Sequence, residues 1–120
     1  MYRVPADLDL RFCIAQPLNQ IALGKCDVQF NFDSGVTIPL RSEAEVLHNN
    51  SIVATWAETT GWSSLAFMSL LNQSATHAYV PNERTIELQF PEDYVLRLYD
   101  NSDQFESMQI FGRDQKLVVI

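Results

Sequence analysis

The sequence predicts an α+β domain that is mostly antiparallel β-sheet, with one or two short helices and two tandem helix–strand–hairpin pseudo-repeats. Three observations lead to this prediction. Short runs of alternating apolar and polar residues are separated by turn residues, two apolar segments have helical spacing, and one hairpin pattern occurs twice. A length of 120 residues is that of one domain, so we expect residues 1–120 to form a single folding unit.

The clearest alternation lies at Val28–Phe32 and Val36–Leu40, with the turn residues Asp33-Ser34-Gly35 between them. A period of two is typical of a strand with one buried face, and glycine provides the positive φ that tight turns need. We therefore expect a β-hairpin here. Pro39 has no N–H to donate, so its position in the second strand should face an edge or a bulge.

The same hairpin pattern returns at Ile86–Phe90 and Tyr94–Leu98, around Pro91-Glu92-Asp93. Shifting the first hairpin by 58 positions (88 − 30) superimposes the two without a gap, and five apolar positions coincide. These pairs are Phe30 with Leu88, Phe32 with Phe90, Val36 with Tyr94, Ile38 with Leu96 and Leu40 with Leu98. The offset predicts pseudo-repeats at about 7–58 and 59–120, each too small to fold alone.

Each pseudo-repeat begins with a short apolar segment for which we expect helical structure. In the second pseudo-repeat the segment is Ser64–Asn72, which a serine at its start would cap. Leu8–Ile14 is the weaker copy in the first pseudo-repeat. The strands that follow are expected at Leu18–Leu23 and Thr76–Val80, with Ile21 aligned with Tyr79.

Two further strand pairs complete the expected sheet. Glu43–His48 and Ile52–Trp56 flank Asn49-Asn50, and asparagine tolerates the left-handed backbone of a tight hairpin turn. Near the C-terminus, Met108–Phe111 and Leu117–Ile120 are the other candidate pair. We expect the apolar end of the chain to be paired into the sheet, because a free apolar strand invites aggregation.

The charge balance narrows the classes of partner. The chain has 8 Lys and Arg against 15 Asp and Glu, a net charge of −7. This balance argues against nucleic-acid binding and against docking on anionic lipid, because both need a surplus of positive charge. The start of the sequence lacks the features of a signal peptide, and no apolar run is long enough to span a bilayer. We expect a cytoplasmic protein that attracts basic partners.

No motif for catalysis or metal binding is found in the sequence. Cys13 and Cys26 are expected to stay reduced, and with His48 and His77 they do not have the spacing of a zinc site. There is no nucleophile elbow and no phosphate-binding loop. The stretch Asp100–Glu106 lacks the central glycine and the closing glutamate of a calcium loop. We therefore expect a non-enzymatic protein without cofactor or metal.

The candidate functional residues are those that would hold a protein partner. Exposed carboxylates would supply an electrostatic field, and tryptophans would supply apolar anchors, although the core is their usual place. The carboxylates are Glu43, Glu45, Glu92, Asp93, Asp103 and Glu106, and the anchors are Trp56 and Trp62.

The second half of the chain resembles a family of small bacterial proteins of uncharacterised function. The resemblance is carried by Thr85–Phe90, by a strand ending in Asp at Val95–Asp100, and by the aromatic-Glu-Ser-x-x-Ile run Phe105–Ile110. In the first half, Leu8–Phe12 and Val28–Val36 are similar to the family's N-terminal portion, so the resemblance covers nearly the whole chain. Where the family's second turn usually carries glycine, this chain has Pro91-Glu92-Asp93.

This resemblance implies a compact α+β domain with no established activity. Proteins of this size and acidity are often immunity partners of secreted bacterial toxins, so the leading hypothesis is a protein-binding module that neutralises a basic toxin domain. Two alternatives remain open. One is a structural module that self-associates through a sheet edge as a homodimer, and the other is a small enzyme or ligand carrier with a pocket between the halves.

Overall fold

In the computed structural model, which describes residues 3–33, 35–102, 106–112 and 116–120, two antiparallel sheets share one hydrophobic core. The five-stranded sheet has the order β1-β2-β3-β10-β11, and the six-stranded sheet has the order β6-β5-β4-β9-β8-β7. The strands are β1 Leu18–Leu23, β2 Val28–Phe32, β3 Thr37–Leu40, β4 Glu43–His48, β5 Ser51–Ala57, β6 Gly61–Trp62, β7 His77–Asn82, β8 Thr85–Phe90, β9 Tyr94–Tyr99, β10 Gln109–Phe111 and β11 Lys116–Val119.

The predicted α+β class is wrong, because the domain is nearly all β and the described residues contain no α-helix. Ser64–Asn72 forms only the 3₁₀ helix Leu65–Leu70, whose first turn is capped by the Ser64 hydroxyl accepting from the Ala66 N–H. Phe67 and Leu70 are its buried residues, and a spacing of three fits a 3₁₀ helix. Leu8–Ile14 forms only the 3₁₀ turn Arg11–Cys13. A third 3₁₀ turn, Pro91–Asp93, joins β8 to β9.

Both hairpins that the alternation predicted are confirmed, and they supply the centre of the core. Phe30 pairs with Ile38 in β2–β3, and Leu88 pairs with Leu96 in β8–β9. All four side chains are completely buried. The alternating apolar residues of these strands therefore face each other across the two sheets, as in a sandwich.

The strand registers of the two halves repeat. The central hairpins are related by 58 positions (88 − 30 and 96 − 38). The hairpin β4–β5 pairs Val46 with Ala54, and β10–β11 pairs Ile110 with Val118, an offset of 64 (110 − 46 and 118 − 54). Each of these two hairpins has a register shift at the next position along its first strand.

The units that repeat differ from the predicted helix–strand–hairpin units. Each half consists of a 3₁₀ segment, a three-stranded meander in one sheet, and a hairpin that joins the other sheet. The hairpin β4–β5 extends the meander of the second half, and β10–β11 extends that of the first.

The edge strands β1 and β7 correspond with an offset of 57 positions, since Ile21 pairs with Phe30 and Ala78 pairs with Leu88. Ile21 thus corresponds to Ala78, and its ungapped alignment with Tyr79 is wrong by one position.

Pro39 lies where the ladder between β3 and β10 is interrupted. It pairs with Gln29 on one side. On the other side the described ladder contains Thr37 with Phe111 and an isolated bridge from Leu40 to Met108. The corresponding strands β9 and β4 pair continuously, because their sequence has no proline.

Candidate functional site

The outer face of the six-stranded sheet carries a row of polar side chains that extends across four strands. Glu45 of β4 lies opposite Arg97 of β9, Arg97 lies opposite Glu87 of β8, and Glu87 lies opposite Tyr79 of β7. Because side chains that are directly opposite share a face, the four form one row. We call the side of the sheet that carries this row the acidic face.

Hydrogen bonds fix the side chains of this row. Arg97 Nε donates to Glu87 Oε2 at 2.5 Å, and the Tyr99 hydroxyl donates to Glu45 Oε1. Gln89 Nε2 donates to the Tyr79 hydroxyl at 3.0 Å. Glu87 is only 7% exposed, whereas Tyr79 at the edge of the sheet is 41% exposed.

The same contacts set the protonation states of the acidic face. Burial and then the hydrogen bond to Glu45 raise the pKa of Tyr99. The hydrogen bond to Glu87, followed by burial, raises the pKa of Tyr79, and the bond to Glu87 also raises the pKa of Arg97. At neutral pH both phenols therefore remain protonated donors, and Arg97 remains charged.

The row on the acidic face differs in residue type from the corresponding row on the outer face of the five-stranded sheet. By the repeat offsets of 57, 58 and 64, Tyr79, Glu87, Arg97 and Glu45 correspond to Ala22, Gln29, Pro39 and Gln109. Every charged or aromatic side chain of the row therefore has a neutral, non-aromatic counterpart. At these four positions, the charged and aromatic groups therefore occur on the six-stranded sheet and not on the five-stranded one.

A cleft of about 280 Å³ lies at the end of the acidic face, where two hairpin turns meet. The Asn49 N–H donates to the Asp93 carbonyl oxygen at 3.1 Å, which joins the β4–β5 turn to the β8–β9 turn. The lining residues are Asn49, Asn50, Gln89, Phe90, Asp93, Tyr94 and Val95. We call this the tip cleft. The Tyr94 ring is stacked on His48 at a centroid distance of 4.0 Å.

Left-handed backbone conformations hold both turns of the tip cleft. Asn49 and Asn50 have φ values of 53° and 67°, which asparagine adopts readily. Glu92 and Asp93 have φ values of 64° and 61°. A left-handed backbone is unfavourable for glutamate, whereas aspartate adopts it more readily than most side chains do. The position corresponding to Asp93 in the first half is Gly35 (93 − 58), with a φ of 88°.

The structure brings some of the predicted carboxylates together and separates others. Glu43 and Glu45 lie on the acidic face, and Glu92 and Asp93 lie at its tip, where both are exposed. Glu106 lies at a second cleft of about 140 Å³, beside Pro39 and Gln109 of the other sheet. Asp103 lies outside the described residues.

The two tryptophans pack within the sandwich. Trp56 is 5% exposed and belongs to the core, and its strand partner is Trp62. Trp62 is half-buried and stacks on Phe67 at a centroid distance of 4.6 Å. Its Nε1 has no hydrogen-bond partner among the described residues.

Sequence reasoning did not select Tyr79, Glu87, Arg97 and Tyr99 as functional residues. The signal was present in the second hairpin, where Glu87 and Arg97 occupy the polar positions of two alternating strands. Placing Leu88 opposite Leu96 puts Glu87 opposite Arg97, and opposite charges at paired positions indicate an ion pair. The contribution of β4 to the same face was not visible, because β4 and β9 are distant in sequence.

Two further kinds of site, for a metal ion and for a membrane-spanning helix, are absent from the described residues. No three of the described His, Cys, Asp and Glu residues are grouped so that they could hold a metal ion. Within the same residues, no helix is long and apolar enough to cross a bilayer. No family model matches the chain, and no curated protein or solved structure matches it.

Proposed function

We propose that this chain is a non-enzymatic binding module that holds a basic protein against its acidic face and tip. The specific form of the proposal is a cytoplasmic immunity protein whose partner is a positively charged toxin domain. One observation carries it: five of the fifteen carboxylates of the chain lie together on one side of the sandwich. Glu43, Glu45, Glu87, Glu92 and Asp93 lie on the acidic face or at its tip, where the row across the sheet contains one cation, Arg97.

The geometry of the acidic face suits a protein partner. A net charge of −7 attracts a basic protein over a distance of about a Debye length, roughly 8 Å at physiological salt, and raises the association rate. At contact, the exposed Ile52 and Tyr79 at opposite sides of the sheet offer apolar and aromatic surface. The hydrogen bonds of Arg97 and Tyr99 hold the row in place before the partner arrives.

The test is capture of a partner from the native host at low and high salt, followed by measurement of binding to the purified partner. Glu43→Lys combined with Glu92→Lys reverses two exposed charges whose carboxylates have no bonded partner among the described residues. We expect this variant to weaken binding by tenfold or more and to reduce its salt dependence. The matched control is Glu106→Lys, which makes the same type of change near the other sheet and should bind as the wild type does.

Two outcomes would overturn the proposal. The first is a partner with no excess of positive charge, or one whose binding is insensitive to both variants. The second is recovery of the chain alone with the mass of a dimer in gel filtration, which would favour the self-associating module.

A further inference from the structure

We propose that the tip cleft is a binding subsite for one arginine side chain of the basic partner. The identity of the partner rests on the proposed function, but binding of a guanidinium group by the cleft can be measured without the partner. The juxtaposition that carries the inference is one carboxylate, three amide side chains and the half-buried Tyr94 around a cleft of about 280 Å³.

The cleft presents unused hydrogen-bond acceptors. Asp93 contributes a carboxylate, and Asn49, Asn50 and Gln89 contribute side-chain carbonyl oxygens. The side chains of Asn49, Asn50 and Asp93 make no hydrogen bond to another residue in the described part of the chain. A ligand that donates several hydrogen bonds at once would satisfy them together.

The charge of the lining selects a cation. None of the lining residues is Lys or Arg, whereas Asp93 is negative and its neighbour Glu92 adds a second exposed carboxylate. A phosphate or a carboxylate would be repelled by these groups. A neutral polyol would donate hydrogen bonds to them but would lack the attraction between opposite charges that a cation has. The cleft therefore favours a positively charged donor.

Shape distinguishes a guanidinium from an ammonium. A guanidinium is flat and has five N–H donors in a fixed fork, which matches a carboxylate and planar amides, and its face packs against aromatic rings. Tyr94, which is half-buried, lines the cleft, whereas Phe90 beside it is only 4% exposed and belongs to the core. The Tyr94 ring stacks on His48 with an interplanar angle of 5°, so the position of this ring is set before a ligand binds.

A comparison of the corresponding turns in the two halves also supports a role for Asp93 in binding. The first-half turn places glycine at Gly35, where positive φ is unstrained, but the second-half turn keeps a carboxylate at the corresponding Asp93. The second half therefore has a carboxylate at a turn position where the first half has no side chain.

The experiment is an NMR titration of the full chain with N-acetyl-arginine amide and with its neutral isostere N-acetyl-citrulline amide. We expect saturable shifts of the backbone amides of Asn49, Asn50 and Tyr94 with the arginine compound, and binding at least tenfold weaker with the citrulline compound. Asp93→Asn should lose most of the arginine binding and remain folded, since asparagine tolerates positive φ. Glu106→Gln, outside the cleft, is the matched control and should bind as the wild type does.

The outcomes separate this inference from the proposed function. Equal binding of the two compounds, or shifts that Asp93→Asn leaves unchanged, would overturn the arginine subsite. If a basic partner is captured and Asp93→Asn does not weaken its binding, the proposed function stands and the subsite does not. If arginine binds in the cleft and no basic partner is captured, the guanidinium site stands and the proposed function falls.

Discussion

The Ser107 hydroxyl donates a 2.6 Å hydrogen bond to Oδ1 of Asp100, and both residues are completely buried. Arg3 Nη1 donates to the other oxygen, Asp100 Oδ2, at 3.0 Å. Asp100 follows β9 and Ser107 precedes β10, so the bond joins the two ends of the crossover between the sheets. Both side chains therefore have a structural role.

Asp100→Ala is expected to lower the free energy of unfolding by about 3 kcal/mol, because it removes the buried carboxylate that accepts from Arg3 and leaves the buried Ser107 hydroxyl without its acceptor. Ser107→Ala should lower it by about 1–2 kcal/mol, since Asp100 keeps its bond to Arg3. Urea denaturation at neutral pH measures both. The control is Asp7→Ala, an exposed position where we expect a change within about 0.5 kcal/mol. Equal effects at Asp7 and Asp100 would contradict the prediction.

The ion pair of Glu87 and Arg97 is expected to stabilise the folded protein, because Glu87 is nearly buried and its charge needs a counter-ion. Arg97→Met leaves a side chain that is 10% exposed without its counter-ion, so we expect a loss of about 2 kcal/mol. Glu87→Gln should lose about 1 kcal/mol, because an amide still accepts the Arg97 bond. The double variant should lose less free energy of unfolding than the two single variants lose together. We expect a difference of about 1 kcal/mol, which is the coupling energy in a double-mutant cycle. Strict additivity would show that the pair does not interact.

Local sequence patterns predicted the strands well, because alternation is a property of one strand at a time. Val28–Phe32 matches β2 in both bounds, and the strands of the other predicted hairpins lie within a few residues of their expected positions. The helix expected at Ser64–Asn72 failed because apolar residues three apart fit either helix type, and a segment this short gains little from α-helical hydrogen bonds.

Sheet assignment could not be read from the sequence. The pairing of Thr37 with Phe111 and that of Glu45 with Arg97 each join positions that no local pattern connects. For the same reason, the sequence predicts the net charge of −7 but not the face of the protein on which each carboxylate lies. Glu45 and Glu106 were indistinguishable in sequence, yet the fold places them at different sheets.

The buried Cys13 thiol is expected to make the protein sensitive to alkali. Burial raises its pKa from 9.0 to about 12, so the unfolded chain loses this proton at lower pH than the folded chain does. The stabilising contribution is complete below pH 9 and is lost as the pH rises through about 12, at roughly 1.4 kcal/mol per pH unit. Urea denaturation between pH 8.5 and 9.5 measures the onset of this loss, below the ordinary pKa of 10.0 at which the tyrosines of the unfolded chain titrate.

Cys13→Ala should be less stable at pH 8 because it leaves a small cavity, but its stability should fall less steeply toward pH 9.5. The free thiols give an independent measurement, since neither cysteine is in a disulfide. A thiol reagent should modify the half-buried Cys26 in the native protein and reach Cys13 only on unfolding. Parallel pH profiles of Cys13→Ala and the wild type would contradict the linkage.

Asp93→Gly should separate stability from binding. Glycine removes the strain of a left-handed backbone at a φ of 61°, so we expect the free energy of unfolding to rise by about 0.5–1 kcal/mol. The same change deletes the carboxylate of the tip cleft, so binding of N-acetyl-arginine amide should fall by tenfold or more. Gly35→Asp is the matched control in the first half: it should reduce stability by a similar amount and leave arginine binding unchanged. A variant Asp93→Gly that is both more stable and equally able to bind would show that the carboxylate at this turn has no role in recognition.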